Sequence, residues 1–192
     1  MKEVHIIGKG VGWDLAPLEG ETWGVNDIIL RRDQLALCFH MHNLPWIKET
    51  DWRGEGKSID LIHDKCKELN IPLMTLNEYK GLEKTVKYPL DEIVETFHTN
   101  YFGSSIDLMF AYALYKEYDI INLYGVNMIL AGEYLNQKPS MEFWIGLSFG
   151  LRKATGKPIV KVFAGKNSNV LKTQDFKIYG YNIDQFKQEW IY

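Results

Sequence analysis

Val4-His5-Ile6-Ile7-Gly8-Lys9-Gly10-Val11-Gly12 is the stretch from which the fold is read. A short run dominated by β-branched residues, with no polar alternation, is the pattern of a strand buried on both faces of a parallel sheet, and here it runs straight into a glycine-rich turn. Proteins of the α/β class place their ligands beyond such strand ends. Glycine lets the backbone approach a ligand closely, and exposed N–H groups in such a turn can meet phosphate or ribose oxygens. The same turn also serves as a plain strand-to-helix connection. GKGVG is neither the GxGxxG dinucleotide pattern nor a GxxxxGKS/T phosphate loop, so neither nicotinamide chemistry nor P-loop hydrolysis follows from it.

Outward from this turn the chain alternates strands and helices. Thr22 to Val25 reads as a second strand ending at Asn26-Asp27, and Leu35 to Phe39 as a third ending at His40-Met41-His42. Residues 43–57 hold Trp46, Trp52, Pro45 and two glycines without a steady period, the composition of a loop or lid. Helical spacing then covers Ser58 to Leu69, a strand covers Ile71 to Met74, and a short helix is expected near Asp91 to Phe97. In Gly103 to Tyr118, Ile106, Met109, Phe110, Ala113 and Leu114 make one apolar helical face, and Ser104 with Asp107 forms a capping box.

Ile120 to Leu123 is a strand closed by Tyr124-Gly125. Ser140 is expected to open the last long helix, with Phe143, Trp144, Leu147 and Leu151 as its stripe and Gly146 and Gly150 allowing close approach to the sheet. Pro158 to Phe163 is a further strand, and the tail shows only a short helical pattern near Ile183 to Trp190. These elements predict an α/β, Rossmann-like open sheet, mostly parallel, with helices on both faces. No repeat, low-complexity tract or linker divides the chain, so residues 1–192 are read as a single domain.

Composition narrows the function. The 192 residues are 46% apolar and 24% charged, an ordinary globular balance. The formal net charge is −3 with scattered Lys and Arg, so the basic stripe of a duplex-binding protein is missing and nucleic acid is unsupported as a partner. Cys38 and Cys66 lack CxxC spacing, which argues against zinc and against a secreted disulfide scaffold. Neither a leader segment nor an apolar run of membrane-spanning length is evident, so the expected location is the cytoplasm, with no membrane partner. The oligomeric state is left open, a homo-oligomer included.

Several residue groups can carry chemistry. Ser104 and Ser105 lie at the amino end of the strongest helix, where unpaired N–H groups and the helix dipole favour an anion, although serine there is also the preferred cap. A parallel sheet brings this helix start and the first glycine turn to one edge, where a crevice forms. His40 and His42 would share one strand face, but no third ligand stands at motif spacing, so they read as pocket wall and no metal is expected. Glu133, Tyr134, Gln137 and Glu142 gather acid, hydroxyl and amide groups before the last helix, or else form a solvated loop.

The opening VHIIGKGVGWDLAPLEGETWGVND resembles that of the bacterial CMP-dependent sialyltransferases, with their strand, GNGPS turn and second strand closing in an Asn-containing motif. SSIDLMFAYALYKEYDIINLYGVNM is similar to their helix–strand unit, in which Ser-Gly opens the helix and the strand closes with Gly-x-Asp-Phe. The wider layout is similar to that of archaeal-type hydroxymethylpterin pyrophosphokinases, and the WGxN, MH and EYxxQxPxxEYxIG segments resemble small bacteriophage proteins, for which the location would be the host cytoplasm. The likeness covers about residues 3–30 and 100–163. It implies that Gly8, Lys9 and Gly10 line the nucleotide phosphate or ribose and that Asn26 contacts the nucleotide. By the same likeness Ser104 and Ser105 hold the base or ribose, with Gly125 and Asn127 beside them, and Tyr134 steadies the leaving phosphate.

The departures are specific. Lys9 stands for the family's Asn, Asn127 for its Asp and Ile129 for a second tyrosine, while Glu142 lies where a histidine base is expected. Nucleotide binding therefore carries over more readily than sialyl transfer itself. The expectation is a transferase with a nucleotide-activated donor, a glycosyltransferase of sialyltransferase-like fold. Nucleotide or nucleotide-sugar is its substrate, with no obligatory cofactor. Glu142 or His42 would act as base, and Tyr134 with Lys9 would stabilise the departing phosphate. Two alternatives stay open: an enzyme cleaving a glycosidic or phosphate bond of a nucleoside or nucleotide with Glu142 as nucleophile or base, and a non-catalytic nucleotide-binding or sequestering protein.

Overall fold

The computed structural model describes residues 1–43, 55–79, 81–128, 134–163 and 168–172. Within them seven strands form one sheet: β1 (Glu3–Ile7), β2 (Thr22–Val25), β3 (Leu37–Phe39), β4 (Leu73–Thr75), β5 (Thr85–Lys87), β6 (Ile120–Tyr124) and β7 (Ile159–Phe163). The described α-helices are α1 (Glu55–Glu68), α2 (Leu90–Phe97), α3 (Ser105–Tyr115) and α4 (Tyr134–Thr155). Strand order is β5-β4-β3-β2-β1-β6-β7, and every pairing is parallel. The sheet is thus wholly parallel, Rossmann-like, and covered by helices on both faces. No helix among the described residues is long and apolar enough to cross a membrane.

This order has one functional consequence. The chain builds outward from β1 to the β5 edge, then crosses back to lay β6 on the other side of β1, so the direction of winding reverses between β1 and β6. In open α/β sheets, ligand sites lie at such a reversal, in the crevice beyond the carboxyl ends of the strands. Register holds the pair together from Glu3↔Ile120 to Ile7↔Tyr124.

Burial explains the strand sequences. All five residues of β6 are buried, as are all of β2, β3 and β4, so no alternation is seen in their sequences. The high aromatic content is spent in the core, where Trp23 meets Phe39, Tyr112 and Tyr118 at ring centroids of 5.3 Å. Edge strand β5, Thr-Val-Lys, is mostly exposed. Three residues with one apolar side chain carry too little pattern to be recognised, and the sequence reading passed over it.

The helices depart from expectation in instructive ways. Helix α3 buries eight residues, including Asp107, Leu108 and Ala111 outside the expected stripe. It is enclosed on several sides because it packs on β1 and touches both α2 and α4. Helix α4 starts at Tyr134, six residues before the expected Ser140, and carries Pro139 inside it. As the sixth residue, Pro139 lacks the N–H that would bond the Leu135 carbonyl, and the helix continues past that missing bond. Its buried face is Met141, Trp144, Ile145 and Ser148, whereas Phe143 is exposed. Gly146 and Gly150 are exposed, with nothing within 4 Å of where a Cβ would stand, so they do not serve close approach to the sheet. Of the 43–57 stretch read as a loop or lid, 55–57 are instead the first residues of α1, while 44–54 and the expected helix near Ile183 to Trp190 lie outside the described residues.

Candidate functional site

At the β1/β6 reversal lies a cleft of about 360 Å³, within the range of small-molecule sites. Its floor is formed by the two loops leaving β1 and β6. Gly8 N–H donates to the Tyr124 carbonyl at 2.8 Å and Gly10 N–H to the Gly125 carbonyl at 2.9 Å, so the two loops run zipped together past the sheet. A Cβ on Gly10 would sit 1.5 Å from Asn127 Oδ1 and 2.7 Å from the Gly125 carbonyl oxygen. The glycine is required by the neighbouring loop, and both N–H groups are already engaged. Gly8 and Gly10 therefore shape the cleft and do not present those two N–H donors to a ligand. From outside, Ser168 Oγ donates to the Val126 carbonyl (3.1 Å) and Asn169 N–H to the Asn127 carbonyl (2.7 Å), bracing the β6 loop with residues the sequence left unread.

The opposite wall is the start of α3. Ser104 caps the helix, accepting from Asp107 N–H at 3.2 Å. The Asp107 carboxylate in turn accepts from the N–H groups of Gly103 (2.8 Å) and Ser104 (3.0 Å), the Ser104 hydroxyl (2.8 Å) and the Ser140 hydroxyl (2.5 Å). Burial pushes this carboxyl above its usual range, and the four donors oppose the rise. Ser140 is thus the tie between α4 and the α3 cap and not a helix start. Only the capping box was legible beforehand; the fourth donor comes from 33 residues downstream.

The third side is the end of β2. Asn26 has a left-handed backbone, φ 50°, which asparagine tolerates better than most residues, and Asp27 follows it. Lys9 Nζ lies 3.2 Å from Asp27 Oδ1, and Arg31 is 2.8 Å from Asp27 Oδ2. Burial works against ionisation of Asp27, but Lys9 and then Arg31 outweigh it and hold the carboxyl below its ordinary value. Lys9 therefore does not stand alone beside the cleft, and neither Asp27 nor Arg31 was singled out in the sequence.

Gly8, Lys9 and Gly10 line this one cleft together with Gly125 and Asn127; so do Asn26, His42, Ser104 and Ser105. Gln137, from the first turns of α4, also reaches it, and Met41, Phe102 and Met128 add apolar wall. Such walls have no sequence signature apart from core residues. Glu142 is not among the lining residues. It pairs with Lys138 at 2.9 Å and accepts from Leu171 N–H, clamping the 168–172 segment to α4. Tyr134 is the first residue of α4, while Glu133 and Ile129 lie outside the described residues.

His40 and His42 lie just past the end of β3, with ring centroids 5.2 Å apart. They differ in setting: His42 is half-buried at the cleft, and His40 is buried behind it, with Nδ1 2.9 Å from Asn26 Oδ1. Burial, aided by His42 and Lys9, brings the His40 pKa down to about 3. Among the described residues no group of three or more His, Cys, Asp or Glu is placed to hold a metal ion.

No family model matches the chain, and no curated protein matches it. Its fold is similar to solved structures of the sialyltransferase CstII from Campylobacter jejuni. With the complex containing CMP-3FNeuAc the TM-score is 0.53 at 15% identity, covering 87% of this chain and 82% of that one. With the cytidine-5'-monophosphate complex the TM-score is 0.51 at 14% identity, covering 87% and 81%. At such identity the likeness shows the fold alone, an α/β fold like that of those structures. The pyrophosphokinase and bacteriophage likenesses gain no support from these comparisons.

Proposed function

We propose that the chain is a nucleotide-binding transferase using a nucleotide-activated donor, a glycosyltransferase of sialyltransferase-like fold. One observation carries the reading: Lys9, from the turn after β1, and Ser104, from the start of α3 about a hundred residues later, line the same cleft at the winding reversal. Neutral hydrogen-bonding groups and apolar walls surround a single lysine there, a lining suited to a base and sugar with an anionic group at one end.

In transfer, the acceptor hydroxyl oxygen bonds to the donor's sugar carbon as the bond from that carbon to the nucleotide phosphate oxygen breaks. The acceptor proton needs a base, and the phosphate oxygen leaves with the bonding electrons and needs stabilising. His42 is the proposed base, because it lies at the cleft where Glu142 does not. Lys9 stabilises the leaving oxygen, with Tyr134 at the start of α4 as the second group assigned to that role. Binding without turnover is the second reading, favoured by one fact: no carboxylate is among the described residues lining the cleft.

The test is a nucleotide and nucleotide-sugar panel read by thermal shift, since a ligand of the folded state raises apparent stability. The reading expects a clear shift with at least one nucleotide, lost in Lys9→Ala and Ser104→Trp. Equal binding by parent and both variants would overturn it. Release of free nucleotide from the sugar donor separates transfer from mere binding.

A further inference from the structure

The two ends of the Asn26 side chain are not equivalent. Asn26 lines the cleft, while its side-chain oxygen points back to His40, 2.9 Å from Nδ1. His40 is 2% exposed, and its other ring nitrogen, Nε2, is buried with no hydrogen-bond partner among the described residues. A neutral imidazole carries one ring proton. Placed on Nε2, that proton would be a buried donor with nothing to bond; placed on Nδ1, it makes the bond to Asn26. Orphaned donors are the rarer defect, so the proton belongs on Nδ1. Burial keeps the ring from gaining a second proton near neutral pH. The Asn26 backbone is fixed as well, because Cys38 Sγ donates to its carbonyl at 3.6 Å.

We propose that His40 is a positioning residue for the cleft: by holding the Asn26 side-chain oxygen, it turns the Asn26 NH2 toward the ligand as a fixed donor. This wall therefore selects a ligand atom that accepts a hydrogen bond, a carbonyl oxygen or unprotonated ring nitrogen of a base, or a ribose or phosphate oxygen. The inference rests on the reading of the cleft as a nucleotide site. It assigns His40 a part in ligand choice although His40 does not line the cleft.

Two measurements test it. Long-range proton–nitrogen NMR of the parent protein without ligand reads the His40 tautomer, and the expected result is a proton on Nδ1. Calorimetric binding of CMP, UMP, AMP and GMP then supplies a probe, the tightest of the four. His40→Phe is expected to weaken that probe about tenfold, the scale of one hydrogen bond, and His40→Gln to recover part of the loss. Asn26→Asp, which offers acceptors only, is expected to abolish binding. In an Asn26→Ala background His40→Phe should add nothing. A proton on Nε2, or an equal loss from His40→Phe with Asn26 already removed, overturns the inference alone. Failure of the parent to bind any of the four overturns the functional reading, and the ligand choice inferred from it.

Discussion

The side-chain oxygen of Asn127 stands in the space that a Cβ on Gly10 would occupy, 1.5 Å from that position, with the Gly125 carbonyl oxygen 2.7 Å away. The amide could swing aside, but the carbonyl belongs to a loop zipped to its neighbour by two backbone hydrogen bonds. Gly10→Ala is therefore expected to destabilise the protein by about 1–3 kcal/mol, the usual cost of overpacking, and to reduce nucleotide binding by prising the two loops apart. Denaturant titration and calorimetry measure the two effects. Adding Asn127→Ala should recover only part of the stability, because the Gly125 clash remains.

Asp107 accepts four hydrogen bonds while wholly buried. Asp107→Asn turns an NH2 group toward donors that need an acceptor, and a loss of about 2–3 kcal/mol is expected from the denaturation midpoint. Ser140→Ala should cost less, about 1–2 kcal/mol. If both variants proved neutral, the tie between α3 and α4 would not matter to the cleft wall.

The acid limb of stability should bear the mark of His40. Its pKa is about 3 in the folded protein against an ordinary 6.5, so between these values the unfolded chain binds the extra proton. Stability from this group is complete above pH 6.5 and declines as pH falls toward 3, by up to about 1.4 kcal/mol per pH unit. Carboxylates titrate at the lower end, so the informative window is pH 6.5 to 5. There the parent should lose stability more steeply than His40→Phe, and equal slopes would contradict the neutral buried ring.

Asp27 offsets the charge of Lys9 beside the cleft. Asp27→Asn removes that offset and is expected to tighten binding of anionic nucleotides severalfold at low salt, with a steeper salt dependence, because exposed charges are screened. Unchanged affinity would mean that Lys9 is directed at Asp27 and not at the ligand. The measurement is calorimetry at two ionic strengths.

Glu142→Gln separates the two candidate bases. A glutamine keeps an oxygen for Leu171 N–H but removes the charge facing Lys138 in a largely buried pair, so a stability loss of about 1–3 kcal/mol is expected. Since Glu142 lies off the cleft, nucleotide affinity is expected to be unchanged, and any turnover with it. A large loss of turnover in protein still folded at the assay temperature would return the base to Glu142 and remove His42 from that role.

The first nine residues quoted above, with β2, β3, β6 and α3, made the parallel α/β architecture readable, because buried parallel strands and a capped helix have local signatures of composition and period. The turn glycines, Asn26, His42, Ser104 and Ser105 were legible as strand-end or helix-start residues for the same reason. Tertiary structure alone decided which partners they have. Asn127 Oδ1 beside Gly10, Ser140 on Asp107, Asp27 between Lys9 and Arg31, and His40 behind Asn26 join residues brought together by strand order and crossovers, and no local periodicity encodes such a meeting. Glu142 shows the converse: its place in the sequence matched a catalytic role, but the turn of α4 and the folding back of residues 168–172 make it a clamp. Local sequence chose the elements, since those obey short-range sterics and burial; long-range packing chose the neighbours, since that depends on where the whole sheet places each end.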